Sequence, residues 1–326
     1  MIKIAITGKN GTMDISQLVP SISLSGEFQQ CARTLEFSMV ASATDTNLPV
    51  VSCELGNKVT VVFDGLELFN GIVFSKHKST SGSSINVTCF DYGIYLKRNE
   101  AVYKFPNWTP EAITKRICAD FGITPGRIAT TGVKISRNFI GVDLYSMIQT
   151  AYTIASAKTG KKYQIRFRGL ELDVIEKGMA NDPLILSGGR NLISASTTES
   201  IENMINQVRI YNSKDQLIDT KENSEAVKLY GRLQSYLRKA DHEDAAKEAE
   251  KILTDYDVSQ KISVENLGSP LNITGNAVIV QEPYTGLYGL FYIDNDVHTW
   301  TNGQYYNKLV LNFENMMDEK DLGKLG

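Results

Sequence analysis

Residues 59–74 read VTVVFDGLELFNGIVF, and this stretch decides the fold class. Val59, Val61 and Phe63 occupy alternate positions, the period of a β-strand that buries one face. The Asp64-Gly65 pair that follows is typical of a two-residue type I′ turn, because both central residues of that turn need positive φ. The stretch therefore predicts an antiparallel hairpin with a very short connection.

The same pattern of short apolar runs extends on both sides of this hairpin. Asn70-Gly71 predicts a second turn, and SINVTCFD at residues 84–91 alternates again after a polar segment. From Ile2 to about Tyr95 the sequence therefore predicts a meander of antiparallel strands.

Length and composition place the chain among ordinary globular proteins. Its 326 residues suggest two or three units of about 100–150 residues each, with 42% hydrophobic and 22% charged residues. No window reaches the roughly 18–20 apolar residues of a membrane helix, and the N-terminus lacks a secretory pattern, so we expect folding in a cytoplasm. The net charge of −3 and the scattered basic residues argue against nucleic-acid binding.

The middle of the chain changes from a period of two to a helical period. Thr109 and Pro110 predict a helix start, Ile113, Ile117 and Phe121 form its apolar face, and Gly122 ends it. A second helix is predicted from an Asp143 cap to Gly160, with an apolar face at Leu144, Ile148, Ala151, Tyr152 and Ala155. A hairpin about Arg168-Gly169 follows, so residues of about 100–180 form a small α+β unit.

Strands return in the last part of the chain, with one helix among them. A turn at Ser213 to Asp215 and alternating apolar residues near the C-terminus predict strands, whereas residues 241–256 predict a helix that Asp241 opens. Residues 229–237 fit either a helix, through their leucines, or extended chain, through their tyrosines and glycine. No exact internal repeat is visible.

Residues capable of chemistry are scattered. The cysteines at 31, 53, 89 and 118 form no C-x-x-C pair, and we interpret them as reduced and buried. His77, His242 and His298 each stand alone, which favours solvated or core positions. The segment from Ser187 to Gly189 is not a nucleophile elbow and predicts a turn.

The segment DNDVH at residues 294–298 allows two interpretations. Asp294, Asp296 and His298 would project from one face of a strand, as ligands of a metal would. The alternative, which we favour, is an outward polar face. A glycosidase pair among the 37 acidic residues stays open, and no phosphate-binding loop is present, so the residues predict no catalytic, cofactor or metal site.

Residues 85–123 carry three motifs in order: Phe90-Asp91, then Tyr95-Leu96-Lys97 with Asn99, then a helix ending in the Ile-Cys-x-x-Phe-Gly-Ile pattern up to Ile123. This arrangement resembles the baseplate hub family of contractile phage tails, the late-control D group, and especially the XkdQ-type hubs of PBSX-like prophages. Three further stretches agree in order and spacing, so that the resemblance covers nearly the whole chain: residues 200–211, 230–253 and 286–313.

The resemblance implies an α+β, mostly β chain with two tail-tube-like antiparallel β-barrels around a small α+β unit. The implied divisions are residues 1–98, 99–180, 181–318 and a tail at 319–326. It also favours mostly extended chain at 229–237.

The implied function is that of a structural baseplate hub, not an enzyme, in a phage tail or a bacteriocin-like particle. Three copies would form a homotrimer that adapts a sixfold tail tube to a threefold spike, with tube, spike and other baseplate proteins as partners and no cofactor. We expect it in the tail baseplate, assembled in the host cytoplasm. Contact loops are predicted at 76–84 and 212–225. The net negative charge of the chain also predicts a lumen without affinity for DNA.

Two alternatives come from other classes of protein. One is a peptidoglycan hydrolase, disfavoured because the chain ends soon after the second predicted barrel. The other is the hub part of a type VI secretion spike, disfavoured because no long needle follows.

Overall fold

The computed structural model describes residues 1–41, 51–79, 83–178, 183–238 and 242–325, with side chains 242–244 excepted. The described chain forms two compact units, one of residues 1–195 with 263–326 and one of residues 196–262. Strands make up 53% of the chain and helices 18%, so the mostly β prediction is confirmed. The predicted divisions after residues 98, 180 and 318 stay a prediction.

The first unit is built largely on one sheet. Its strands are β1 (Ile2–Gly8), β2 (Gly11–Asp14), β3 (Ser21–Glu27), β4 (Thr34–Val40), β5 (Lys58–Phe63), β6 (Leu66–Lys78), β7 (Ser84–Asp91), β8 (Glu100–Trp108), β9 (Thr124–Ile128), β10 (Ile135–Asp143), β11 (Lys162–Arg168), β12 (Glu171–Lys177), β13 (Leu184–Ser187), β19 (Ala277–Glu282), β20 (Leu287–Thr301), β21 (Gln304–Asn312) and β22 (Lys324–Leu325). Its helices are a 3-10 turn (Ser16–Leu18), α1 (Gly93–Arg98), α2 (Pro110–Phe121) and α3 (Leu144–Thr159). Two strands, β14 (Leu192–Ser200) and β18 (Ser259–Leu267), cross the boundary between the units.

The main sheet contains strands from both ends of the chain. Its neighbours run β21-β20-β3-β4-β7-β6-β5-β1-β2, with β19 also on β20 and β13 parallel to β19. The antiparallel pairing of β3 with β20 joins the strands predicted for the first barrel to those predicted for the second. Within the described residues no closed barrel forms, so two separate barrel domains are not confirmed.

The two helices predicted for the middle of the chain are confirmed. Pro110 begins α2, and Gly122 ends it in the left-handed conformation with φ 65°. Asp143 caps α3 by accepting the Ser146 N–H at 2.9 Å, and all five predicted apolar positions of α3 are buried. On α2, Ile113 and Ile117 are buried as predicted, but Phe121 is 38% exposed.

The helices and two small sheets of this region enclose a core of their own. The sheets are β22-β10-β8 and β11-β12-β9, in which β9 is parallel to β12. Buried residues of α2, α3, β10 and β11 share one apolar cluster, in which Tyr152 is the largest fully buried side chain. The tight hairpin is confirmed, but its turn residues are Gly169 and Leu170, because Arg168 pairs with Glu171.

The second unit is a three-stranded sheet covered by a helix. Its elements are β15 (Gln207–Tyr211), β16 (Leu217–Glu222), α4 (Ser224–Tyr230), β17 (Gln234–Arg238) and α5 (His242–Asp255). Val208 and Ile210 pack with Ala245 and Ala249 of α5. The extended interpretation of 229–237 is confirmed from Gly231 onward and wrong for the first two residues, which end α4. The predicted Asp241 cap lies outside the described residues.

The opening stretch behaves as predicted at its first turn and differently at its second. Asp64 and Gly65 both have positive φ, 48° and 85°, and they join β5 to β6. Asn70 and Gly71, however, lie inside the unbroken 13-residue strand β6, and neither has positive φ, so the second turn is wrong.

Position 71 is a glycine because a side chain there would not fit between β6 and its neighbours. A Cβ atom there would lie 2.2 Å from the Phe90 carbonyl oxygen and 2.6 Å from the Phe69 ring. Gly71 therefore permits the close approach of β6 to β7, and Asn70 is buried beside it with 8% exposure.

We expect Gly71→Ala to lower the free energy of unfolding by about 1–3 kcal/mol, because the added methyl group overlaps backbone. Urea denaturation measures this loss. Gly178→Ala is the matched control, since no atom of the described residues lies within 4 Å of a Cβ there, and it should change stability by less than about 0.5 kcal/mol. Equal stability of the two variants would contradict the packing explanation.

Candidate functional site

The DNDVH segment is buried, so the outward polar face predicted for it is wrong. Asp294 exposes 8% of its surface, Asp296 none and His298 only 1%. The pairing register shifts between Ile293 and Asn295, which marks a bulge at Asp294. Before the bulge the odd-numbered residues of β20 face the interior, and after it the even-numbered residues do. This switch turns Asp296 and His298 inward.

Asp296 forms an ion pair with Arg33, a residue that the sequence analysis did not single out. The pair is bidentate: Arg33 Nη1 donates to Asp296 Oδ1 at 3.0 Å, and Nη2 donates to Oδ2. Thr274 adds two more donors to Oδ1, its N–H and its hydroxyl, each at 2.6 Å. Both oxygens of the buried carboxylate are therefore satisfied, as a buried charge requires.

The surroundings of the pair favour the charged forms of both Asp296 and Arg33. Burial by itself would raise the pKa of Asp296, but the Arg33 guanidinium and the His298 hydrogen bond outweigh it and hold that pKa well below its usual range. Burial would also lower the pKa of Arg33, and the Asp296 charge reverses this effect. Gly26 makes room for the pair, because a Cβ atom there would lie 2.5 Å from Arg33 Nη1.

His298 has protein partners on both ring nitrogens. Its Nε2 lies 3.1 Å from Asp296 Oδ2 and 3.1 Å from the Asn272 carbonyl oxygen, while Nδ1 lies 2.7 Å from the Tyr305 hydroxyl. A neutral ring can donate from Nε2 and accept the Tyr305 proton at Nδ1. Among the predicted roles, a core-satisfied histidine is therefore confirmed for His298.

Asp294 does not converge with the other two residues of the segment. Asn312 Nδ2 donates to its Oδ2 at 3.2 Å, and Lys177 Nζ, which donates to the Met316 carbonyl oxygen, lies 4.0 Å from its Oδ1. Burial raises the pKa of Asp294, and Lys177 opposes that rise. No cluster of three or more metal-ligating side chains occurs within the described part of the chain. The metal interpretation thus has no support in the positions of these residues.

Asp91 of the aromatic-Asp motif is buried near Arg33. It accepts the Gly93 N–H at 2.9 Å and is only 4% exposed. Burial raises its pKa to about 7, against the opposing effects of backbone hydrogen bonds and of the Arg33 charge. The motif therefore lies at the start of α1, where Asp91 accepts the N–H of the first helical residue.

The structure also shows where the cysteines, His77 and the segment from Ser187 to Gly189 lie. All four cysteines are free and buried, which confirms that interpretation. His77 is exposed on β6, as predicted, and the His242 side chain lies outside the described residues. Gly188 and Gly189 form the predicted turn after β13. No helix in the described residues is both long and apolar enough to cross a bilayer.

The predicted contact loops are partly strand. Residues 76–78 complete β6, and residues 80–82 of that loop lie outside the described residues. Within 212–225, a turn with Asp215 at φ 59° leads into β16, and Leu217 there is 51% exposed. Sequence reasoning missed Arg33 because its partner is 263 residues away along the chain, and no local pattern signals that distance.

We expect Asp296→Asn to lower the free energy of unfolding by about 3–5 kcal/mol, because it leaves the Arg33 charge unpaired. Adding Arg33→Met should recover part of this loss, and urea denaturation of the single and double variants measures the coupling. Glu176→Gln, which breaks the exposed pair with Lys161, should have little effect. Additive losses at Arg33 and Asp296 would contradict a coupled pair.

A raised Asp91 pKa makes stability depend on pH in a defined direction. The folded protein binds more protons than the unfolded chain between about pH 4 and 7, so this group lowers stability as pH rises through that window. We expect Asp91→Asn, which keeps the acceptor for Gly93, to gain stability relative to the native protein from pH 4 to pH 8. Thermal unfolding across this range measures the difference, and a constant difference would contradict the raised pKa.

Comparisons with known proteins agree on one family. The model of the family described as YQBQ-like matches residues 22–312. Two proteins of Bacillus subtilis (strain 168) are similar over most of their length. The uncharacterized protein YqbQ is 27% identical over 85% of this chain and 87% of its own, and the phage-like element PBSX protein XkdQ is 26% identical over 92% and 94%.

A solved structure shares the fold. The crystal structure of the prophage MuSo2 43 kDa tail protein from Shewanella oneidensis has a TM-score of 0.71 at 14% identity, over 95% of this chain and 97% of that one. These matches are consistent with a non-enzymatic protein. Since the family model spans most of the sequence, the chain belongs to the YQBQ-like family.

Proposed function

We propose that this protein is the structural baseplate hub of a contractile phage tail or of a phage-derived, bacteriocin-like injection particle. The observation that carries the proposal is the fold shared with a prophage tail protein over 95% of this chain. The similarity to a PBSX phage-like element protein over 92% of the chain supports it independently, from sequence.

In this role the chain acts as a homotrimer. Residues 1–98 and 181–318 each supply one tail-tube-like barrel, with residues 99–180 between them, so that three copies present six barrels around one axis. A sixfold tube then meets a threefold spike without any bond being made or broken. The β3–β20 pairing supports this role, because it makes strands of both segments one continuous sheet within a chain.

The edge of the main sheet supports contacts between copies or with the tube. The end strand β2 (Gly11–Asp14) has all four residues exposed, and it pairs only through β1 among the described strands. An edge strand carries backbone groups that another chain can pair with. We propose β2 as one such edge.

The partners in this proposal are the tail tube or its initiator, the spike and other baseplate proteins. The protein acts in the tail baseplate after assembly in the host cytoplasm. With a net charge of −3 and its basic residues dispersed, the lumen should not retain DNA. The loops at 76–84 and 212–225 are candidate contacts for the partners.

We expect the purified protein to form a trimer, with a mass about three times 36.2 kDa by light scattering, alone or with its spike. Electron microscopy of tail particles should place three copies in a ring between tube and spike. A persistent monomer that never enters a ring in tail particles would overturn the proposal.

Two controls separate this role from its alternatives. Pure protein should give no clearing on a cell-wall zymogram, and clearing would contradict a purely structural hub. The trimer should also pass through a DNA column at low salt, and retention there would contradict the proposed lumen but not the hub itself.

A further inference from the structure

A cavity of about 670 Å³ lies within the first unit, and the proposed hub function does not involve it. Its walls come from β3, β6, β9, β11 and the loop 270–276. Leu24, Leu68 and Ile273 supply apolar surface, and Arg33 and His298 of the buried ion-pair cluster also line it. The volume falls within the roughly 300–1,000 Å³ of typical ligand sites.

One face of β11 supplies polar groups to this cavity. Along the strand, Tyr163 and Ile165 belong to the apolar core, and Gln164 and Arg166 line the cavity together with part of Ile165 and the end of the strand. Gln164 is only 8% exposed, and its Oε1 has no hydrogen-bond partner among the described residues. Asn70, on another wall, is also 8% exposed and has a buried Oδ1 without a partner there.

Arg166 is the cation of this cavity that lacks a counter-charge. Its buried Nη1 has no hydrogen-bond partner in the described residues, and none of the ion pairs among them includes it. Burial lowers its pKa, and the Asp173 charge opposes this effect. Asp173 is already engaged: it accepts the Arg127 N–H at 2.7 Å and lies 3.3 Å from Arg168 Nε.

Arg33 lines the same cavity, but its guanidinium is paired, because both carboxylate oxygens of Asp296 accept hydrogen bonds from it. A buried charge without such a partner is costly. The cavity therefore presents one unmet donor at Arg166 and two unmet acceptors, at Gln164 and Asn70.

The unmet donor of Arg166 and the unmet acceptors of Gln164 and Asn70 match a ligand that carries a carboxylate next to peptide N–H groups. A carboxylate fits the planar guanidinium in the bidentate way that Asp296 fits Arg33, and peptide N–H groups are the donors that amide oxygens need. Phosphate fits less well, because Glu27, Glu67 and Asp91 also line the cavity and would repel a doubly charged anion.

We propose that this cavity is a carboxylate-binding site in which Arg166 is the anchor and the amides of Gln164 and Asn70 orient the ligand. The carboxylate can come from an acidic residue or chain end of another protein, or from a free organic acid. The proposal does not depend on the hub role, and either one can fail without the other.

Calorimetric titration of the full chain tests the site with three probes: the capped peptide acetyl-Ala-Glu-Ala-amide, its glutamine counterpart, and the monocarboxylate butyrate. We expect the glutamate peptide to bind about tenfold or more tightly than the glutamine peptide, because a hydrogen-bonded charge is lost in the latter. Tighter binding of the peptide than of butyrate assigns the site to a protein segment, and the reverse assigns it to a free acid.

Variants of the anchor complete the test. Arg166→Gln should abolish the preference for glutamate, and Arg166→Lys should reduce it, because an ammonium cannot form the planar pair. Arg116→Gln, which removes an exposed arginine of α2, is the matched control and should bind as the native protein does. Thermal unfolding without ligand should find Arg166→Gln at least as stable as the native protein.

Two results would overturn the proposal. One is no binding of any probe to the native protein at millimolar concentration, which would leave the cavity to water. The other is equal binding by Arg166→Gln and the native protein. If Arg166→Gln does not fold, Arg166→Lys gives the decisive comparison.

Discussion

The ion pair between Arg33 and Asp296 is the interaction on which the main sheet depends. Arg33 stands just before β4, and Asp296 lies on β20, at the place where β20 pairs with β3 through Gly26. The pair thus secures the one junction at which the two ends of the chain enter a common sheet. Its surroundings are specific: a glycine provides room, Thr274 adds donors and His298 closes the remaining side.

Such a buried network favours a unique arrangement more than it adds stability. Removing two charges from water is costly, and Asp296 repays that cost only because each of its oxygens is fully hydrogen-bonded. Any shift of β20 by one residue would place Val297 where Asp296 belongs and leave Arg33 unpaired. The bulge at Asp294 and the ion pair therefore fix the same register.

Local signals made much of the fold predictable. The Asp64-Gly65 turn, the Asp143 cap, the ends of α2 and the buried face of α3 each depend on residues within a few positions of one another. Asn70-Gly71 shows where local reasoning fails. The dipeptide is typical of a turn, yet here its glycine serves a contact with Phe90, which lies on another strand. Likewise, the polar alternation of Gln164 and Arg166 marks a strand face, but only the opposite wall makes that face a cavity.

The sequence by itself determined the strand and helix content, the tight first hairpin, the α+β middle and the resemblance to tail proteins. Those features follow from backbone preferences and hydrophobic period, which act over a few residues. Only the tertiary structure decided that β3 pairs with β20, that the DNDVH segment turns inward at a bulge, and that Arg33 meets Asp296 across 263 residues. Contacts between such distant segments depend on the burial, charges and space that arise only when the two segments pack together. The sequence of either segment by itself does not show them.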